Sequence, residues 1–285
     1  MLLSLRQIKR RIRSVESTKK ITRAMQMVST AKLKQTEHAL FSGKPYYFKM
    51  DALLKKLLAS AKTAAHPLLE ERPVKNNFTL CIITSDSGLC STYNNNIIRI
   101  AEGFINKHGA ENTRLITIGK KGFSHFKNRK IKISHAFLGL QGRYSNEIAE
   151  EIIKAVVNAF LSKETDEVHM AHTHFDATLK YRPKLQKLLN IERAAEEREV
   201  DYILEPSAGR ILEELIPTYI SAKVKGILLD AFTSEHSQRM VAMKSATDNA
   251  VELIDNLTLL RNKARQAAIT TEIIEVSSAA EELKG

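Results

Sequence analysis

His169, His172 and His174 place three imidazoles within six residues, and imidazole nitrogen is a favoured ligand of zinc-class metals. The stretch Glu167–Phe175 reads as a strand, so His172 and His174 share one face and His169 points to the other. No matching acidic or cysteine partner for a metal site is evident nearby, and the expectation is that they hold no metal. Ser85-Asp-Ser-Gly-Leu-Cys90 offers hydroxyls and a thiol at the carboxyl end of a strand, where α/β sheets usually place their ligands. It lacks the GxSxG elbow and has no identifiable general base, so it reads as a structural turn. Gly119-Lys-Lys-Gly122 is similar in pattern to a GxxG nucleic-acid clamp. That clamp joins two helices, whereas this one follows a strand, and it reads as a strand-end turn with solvated lysines. No GxxxxGK[ST] or GxGxxG pattern follows a strand. Cys81 and Cys90 are isolated and form no CxxC pair. The residues by themselves therefore assign no catalytic, cofactor-binding or metal role.

The elements that carry these residues are legible from their periodicity. Short apolar runs at 78–84, 114–118, 131–137 and 167–175, with a fifth at Val200–Leu204, suit buried strands. They alternate with helical stretches at 93–107, 123–127 and 146–161, the last with Ile148, Ile152, Val156 and Phe160 on one face. This alternation predicts a Rossmann-like α/β domain with a mostly parallel five-stranded sheet. Before it, a helix runs from the start of the chain to about Ala65, with Pro45 as a site for a kink. In it Leu5, Ile8, Ile12 and Val15 share a seam, and the phase then slips to Ile21, Met25 and Val28. After the domain, Pro206-Ser207 opens a short helix, and Pro217 marks where a longer one starts or kinks.

That last helix has no Pro or Gly from Ile227 to Lys284, which corresponds to roughly 85 Å at the helical rise. Met243, Ala246, Ala250, Leu253, Leu257, Leu260, Ala264, Ala267, Thr271, Ile274 and Ser278 follow one another in steps of three and four, the spacing of a coiled-coil seam. Neither long helix can bury its stripe alone, and an antiparallel coiled coil of the two solves both problems. The expected organisation is a first coiled-coil helix over 1–65, an α/β domain over 75–205 and a second coiled-coil helix over 206–285.

The chain has 285 residues and a net charge of +12. Residues 1–40 contain ten Lys and Arg against Glu16 and Glu37, giving +8, while residues 206–285 contain nine basic and eleven acidic residues, giving −2. A basic first helix could attract nucleic acid, anionic lipid or an acidic protein. Its Arg6, Lys9, Arg10, Arg11 and Arg13 point in several directions, which favours a charged outer face over a groove reader. A basic coiled-coil scaffold or nucleoid-type DNA-binding protein is the alternative. The first residues lack the pattern of a signal peptide and no apolar run is long enough to span a membrane, so the sequence reads as cytosolic.

Ser234-Glu-His-Ser-Gln-Arg-Met-Val-Ala-Met-Lys-Ser-Ala-Thr-Asp-Asn249, continued by Asn262-Lys-Ala-Arg-Gln-Ala-Ala-Ile-Thr-Thr-Glu272, closely resembles the signature of the gamma subunit of F-type ATP synthases. Lys20-Ile-Thr-Arg-Ala-Met-Gln-Met-Val28 looks like that family's first helix, and Thr84–Cys90 with Tyr93-Asn94 like its α/β domain. The resemblance implies a non-catalytic rotor shaft that turns inside a ring of three alpha and three beta subunits. It also implies partners in the epsilon subunit and the membrane ring of c subunits. It places the chain peripherally on the cytoplasmic face of a bacterial cell membrane, with no cofactor of its own. By position, it implies that Ile21, Thr22, Met25, Met27, Val28, Arg239, Gln266, Thr270 and Glu272 touch the alpha/beta ring.

Overall fold

The structure is a computed structural model that describes residues 4–60, 66–178, 180–192 and 207–282. Helix α1 spans Leu5–Ser60 and helix α5 spans Ala208–Glu282. Between them lie β1 (Phe78–Ile83), α2 (Tyr93–His108), β2 (Thr113–Ile118), α3 (Lys120–Phe126), β3 (Lys132–Phe137), α4 (Asn146–Leu161), β4 (Glu167–Ala177) and β5 (Lys180–Leu189). The chain divides into two compact units. One is Ser29–Arg239, and the other combines the residues up to Val28 with those from Met240 onward.

In the larger unit the strands lie in the order β3-β2-β1-β4-β5. The first four are parallel, and β5 is antiparallel to β4. Because side chains alternate across a strand, β1 feeds two cores. Cys81 and Ile83 pack with α4, the Met50–Leu58 part of α1 and the Leu212–Phe232 part of α5. Phe78, Leu80 and Ile82 pack on the opposite face with Ile97, Ala101 and Phe104 of α2 and Phe126 of α3.

The mostly parallel five-stranded sheet is as expected, and it contains a described strand that was not read from sequence. Val200–Leu204 lies outside the described residues, and the fifth described strand is Lys180–Leu189. This strand carries several lysines and Pro183 and is exposed along half of its length. Those features disqualify a central strand, but they suit an edge, where Pro loses no ladder bond and charge discourages further pairing.

The two prolines inside the long helices do not end them: α1 continues through Pro45 and α5 through Pro217. The short and long C-terminal helices expected from sequence are thus one. Leu212, Ile216, Tyr219 and Ile220 are buried around Pro217. Their packing outweighs the roughly 3 kcal/mol that an internal proline costs a helix. The start of α1 is set by a capping box, in which Gln7 N–H donates to Ser4 Oγ and Ser4 N–H donates to Gln7 Oε1.

Candidate functional site

In the smaller unit the two helices pair antiparallel. Thr22 Oγ1 lies 2.8 Å from Thr247 Oγ1, while the earlier Ile8 and Ile12 pack on the later Leu257. Among the buried and half-buried α1 positions, Leu5, Ile8, Ile12, Val15, Lys19, Thr22 and Gln26 follow a regular three-four alternation, with Met25 half-buried beside Gln26. The phase slip expected after Val15 does not occur. The seam continues through hydroxyl residues instead, because Thr22 bonds both the Lys19 carbonyl and Thr247. Ile21 and Val28 are left outside, 58% and 57% exposed.

On α5 the seam keeps Met243, Ala250, Leu257 and Ala264 but alternates them with Thr247, Ile254 and Arg261. Leu253 and Leu260, read as seam residues, are exposed. From Arg265 to Glu281 every described residue is exposed, Ala267, Thr271, Ile274 and Ser278 included. Among the described residues α1 begins at Leu5, and none of them covers this part of α5. Gln266, Thr270 and Glu272 all stand on this uncovered stretch, where Thr270 Oγ1 donates only to the Gln266 carbonyl of its own helix. Met27 is 61% exposed and Met25 half-buried.

Arg239 belongs to a different environment. The resemblance implies that it touches the ring, but it is buried, 7% exposed, within the larger unit. Every residue from Thr233 to Arg239 is buried, although all are polar. They lie against the carboxyl ends of the parallel strands, where backbone carbonyls and loop amides need partners. Arg239 Nη1 donates to Glu235 Oε1 at 2.7 Å, Nη2 to the Ser87 carbonyl at 3.1 Å and Nε to the Gly88 carbonyl at 3.3 Å. Asp86 of the same turn accepts the backbone N–H groups of Lys120, Gly139 and Gln141. The Ser85–Cys90 turn is thus occupied by the protein's own groups, in keeping with its reading as structural. The clue in the sequence was the Glu235/Arg239 spacing of four on one helix, but spacing cannot tell a buried pair from a solvated one.

Burial sets the protonation of this region. It pushes the Glu235 carboxyl above the usual carboxylate range, and the Arg239 guanidinium opposes the rise. It lowers His236 to about 4, against the effect of its hydrogen bond to the Gly142 carbonyl. Gly142 has φ +66, and a Cβ there would stand 2.6 Å from the His236 ring, so this close approach requires glycine. Burial also pushes the Cys81 thiol up to about 12 and raises Cys90, which leaves both thiols protonated and unreactive at neutral pH.

His236 couples the stability of the fold to pH. Its folded pKa lies below the unfolded value near 6.5, so the native state binds fewer protons between these values. The associated stability is complete above about pH 6.5 and is lost as pH falls toward 4, a change of about 3 kcal/mol. Urea unfolding at pH 7 and pH 4.5 should show a smaller acid loss in His236→Gln than in the unsubstituted chain. Equal losses in the two would refute this assignment.

The histidine cluster gains the partner that the sequence did not reveal. Asp230, from α5, reaches His172 and His174, while His169 turns away and pairs with Glu167.

The ATP synthase family model matches residues 4–283. An ATP synthase gamma chain of Geobacter metallireducens is 41% identical over 289 residues, covering 100% of both chains. One from Exiguobacterium sibiricum is 42% identical over 280 residues, covering 98% of this chain and 99% of that one. Among solved structures, a chain of the Euglena gracilis mitochondrial ATP synthase (OSCP/F1/c-ring, rotational state 3) matches with a TM-score of 0.68 at 14% identity. That match covers 98% of this chain and 94% of the Euglena chain.

Proposed function

This chain belongs to the family of ATP synthase gamma chains, and on that premise we propose that its paired helices are the turning shaft of a rotary ATP synthase. The shaft couples ion flow through a membrane ring of c subunits to the catalytic sites of an alpha/beta ring. The observation that carries the reading is the uncovered end of α5. After Ala264 it exposes Ile269, Ile273, Ile274 and Val276, between 48% and 65%. Apolar surface of this extent on a helix calls for a partner outside the chain.

A rotor must contact three otherwise identical partners unequally, because a ligand with no preference shifts no equilibrium. Two helices of different composition supply this inequality. α1 contributes the exposed Ile21, Met27 and Val28 beside a basic surface, with Met25 half-covered. α5 contributes Gln266, Thr270 and Glu272. We assign direct ring contact to these residues. Thr22 and Arg239 act indirectly, the first by holding the helix pair and the second by holding the α/β unit. Solvated ion pairs contribute only about 0–1 kcal/mol each, which lets a charged bearing attract its ring without locking to it.

In this scheme ATP is bound and cleaved by the partner subunits. The α/β unit serves the epsilon subunit and the c ring. The chain reaches the cytoplasmic face of the membrane through the complex, and no described helix is long and apolar enough to cross a membrane.

Co-expression with alpha and beta subunits should yield a stoichiometric complex with ATPase activity, and failure to form one would sink the proposal. Within the complete enzyme, Ile21→Lys puts a charge on an exposed position that the fold does not need. Assembly should be retained while proton pumping per ATP hydrolysed falls. Unchanged pumping would remove Ile21 from the contact set.

A further inference from the structure

Within the larger unit, a cavity of about 740 Å³ is bounded by the Leu40–Asp51 part of α1, the Thr218–Asp230 part of α5 and strands β4 and β5. His172, His174 and Asp230 line it together. Each offers one metal-ligating atom, and these atoms lie within 4.8 Å of one another. Among the described residues this is the one such group of His, Cys, Asp and Glu. His172 Nε2 is 3.5 Å and His174 Nδ1 2.5 Å from the same oxygen, Asp230 Oδ2. The other carboxylate oxygen, Oδ1, accepts the Phe175 N–H at 2.8 Å, which fixes the orientation of Asp230.

We propose that His172, His174 and Asp230 form a binding site for a divalent transition-metal cation of the zinc class. Two imidazoles and one carboxylate are a ligand set that suits zinc, and three protein ligands leave a coordination position open. Here that position faces the cavity. Support comes from the surroundings of His174. Its far nitrogen, Nε2, is 3.4 Å from Asp176 Oδ1, and Asp176 is held by Arg182 through bonds of 2.9 and 3.1 Å. A carboxylate behind a histidine orients the ring, so Nδ1 is aimed at Asp230, and a bound cation would replace the hydrogen bond that Nδ1 makes to Asp230 Oδ2 at 2.5 Å. His172 is 2% exposed, and its Nδ1 has no hydrogen-bond partner among the described residues, so hydrogen bonding does not use up the ring's capacity. Lys184, Lys223 and Lys225 line the same cavity. Their charge weakens a bare cation but suits an anion held at the open position.

The competing account is a hydrogen-bonded His–Asp–His cluster that only ties β4 to α5. The two separate in a titration of the tag-free, full-length chain, stripped with a chelator, with Zn²⁺ and then Co²⁺. The expected result is one equivalent of saturable micromolar binding, a visible Co²⁺ absorption band and a rise in Tm with Zn²⁺. His174→Gln keeps a hydrogen-bonding group at a half-buried position and should weaken binding about tenfold or more. His169→Gln, on the opposite face, should leave binding unchanged. No saturable binding by the unsubstituted chain, or equal binding by His174→Gln with its circular dichroism intact, would overturn the site.

Discussion

Arg239→Ala should destabilise the unit formed by Ser29–Arg239 by about 3–5 kcal/mol, the usual cost of stranding one partner of a buried ion pair. Glu235 is only 2% exposed, and its nearest counter-charge is the Arg239 guanidinium at 2.7 Å. Alanine also removes the donors that satisfy the carbonyls of Ser87 and Gly88. Burial already raises the Glu235 pKa, and loss of the arginine would raise it further. An acid whose folded pKa lies above its unfolded value loses stability as pH rises between the two. The deficit of the variant should therefore be smallest near pH 4.5 and grow toward neutrality. Adding Glu235→Gln to Arg239→Ala should recover part of the loss, because it removes the stranded charge. Urea midpoints across this range provide the test, and a deficit under about 1 kcal/mol at pH 7 would mean that the pair is effectively solvated.

Gly119→Ala should cost a comparable amount, about 4 kcal/mol, by a different route. Gly119 has φ +93, and a Cβ there would stand 2.0 Å from the Thr84 carbonyl oxygen. The obstacle is backbone at the end of β1 and cannot rotate away. Thr84 N–H donates to the Ile118 carbonyl and Gly119 N–H to the Phe137 carbonyl, so any retreat breaks the ends of three adjoining strands. Gly139→Ala is the control: its φ is +83, but nothing lies within 4 Å of the added carbon. It should show the conformational strain alone, about 1–2 kcal/mol. Equal losses at the two positions would mean that the clash is relieved and only strain remains.

Helices α2 and α4 and strands β1, β2 and β4 were readable because each buries a face whose apolar spacing matches its own period. The edge strand β5 was not readable, because an edge is built from residues that exclude a central strand. On α5, Met243, Ala250, Leu257 and Ala264 were read correctly and Ala246 is half-buried like Thr247, while Leu253 and Leu260 were each misplaced by one residue. Apolarity favours Leu253 and Leu260, yet the helix turns Ile254 and Arg261 inward. A seam of threes and fours tolerates either choice until a partner helix is present, and the Thr22–Thr247 contact shows which one that partner accepts.

The sequence by itself determined the α/β alternation, the two long helices and the family, since these rest on local periodicity and on the order of residues along one chain. Tertiary structure alone decided that the polar run Thr233–Arg239 is buried, that Thr22 lies in the seam while Ile21 and Val28 face outward, and that Asp230 meets His172 and His174. Each of these depends on which side of an element is covered, and by what. Burial of a polar group is favourable only where a distant backbone or charge satisfies it, and the position of that partner is not written in the local sequence.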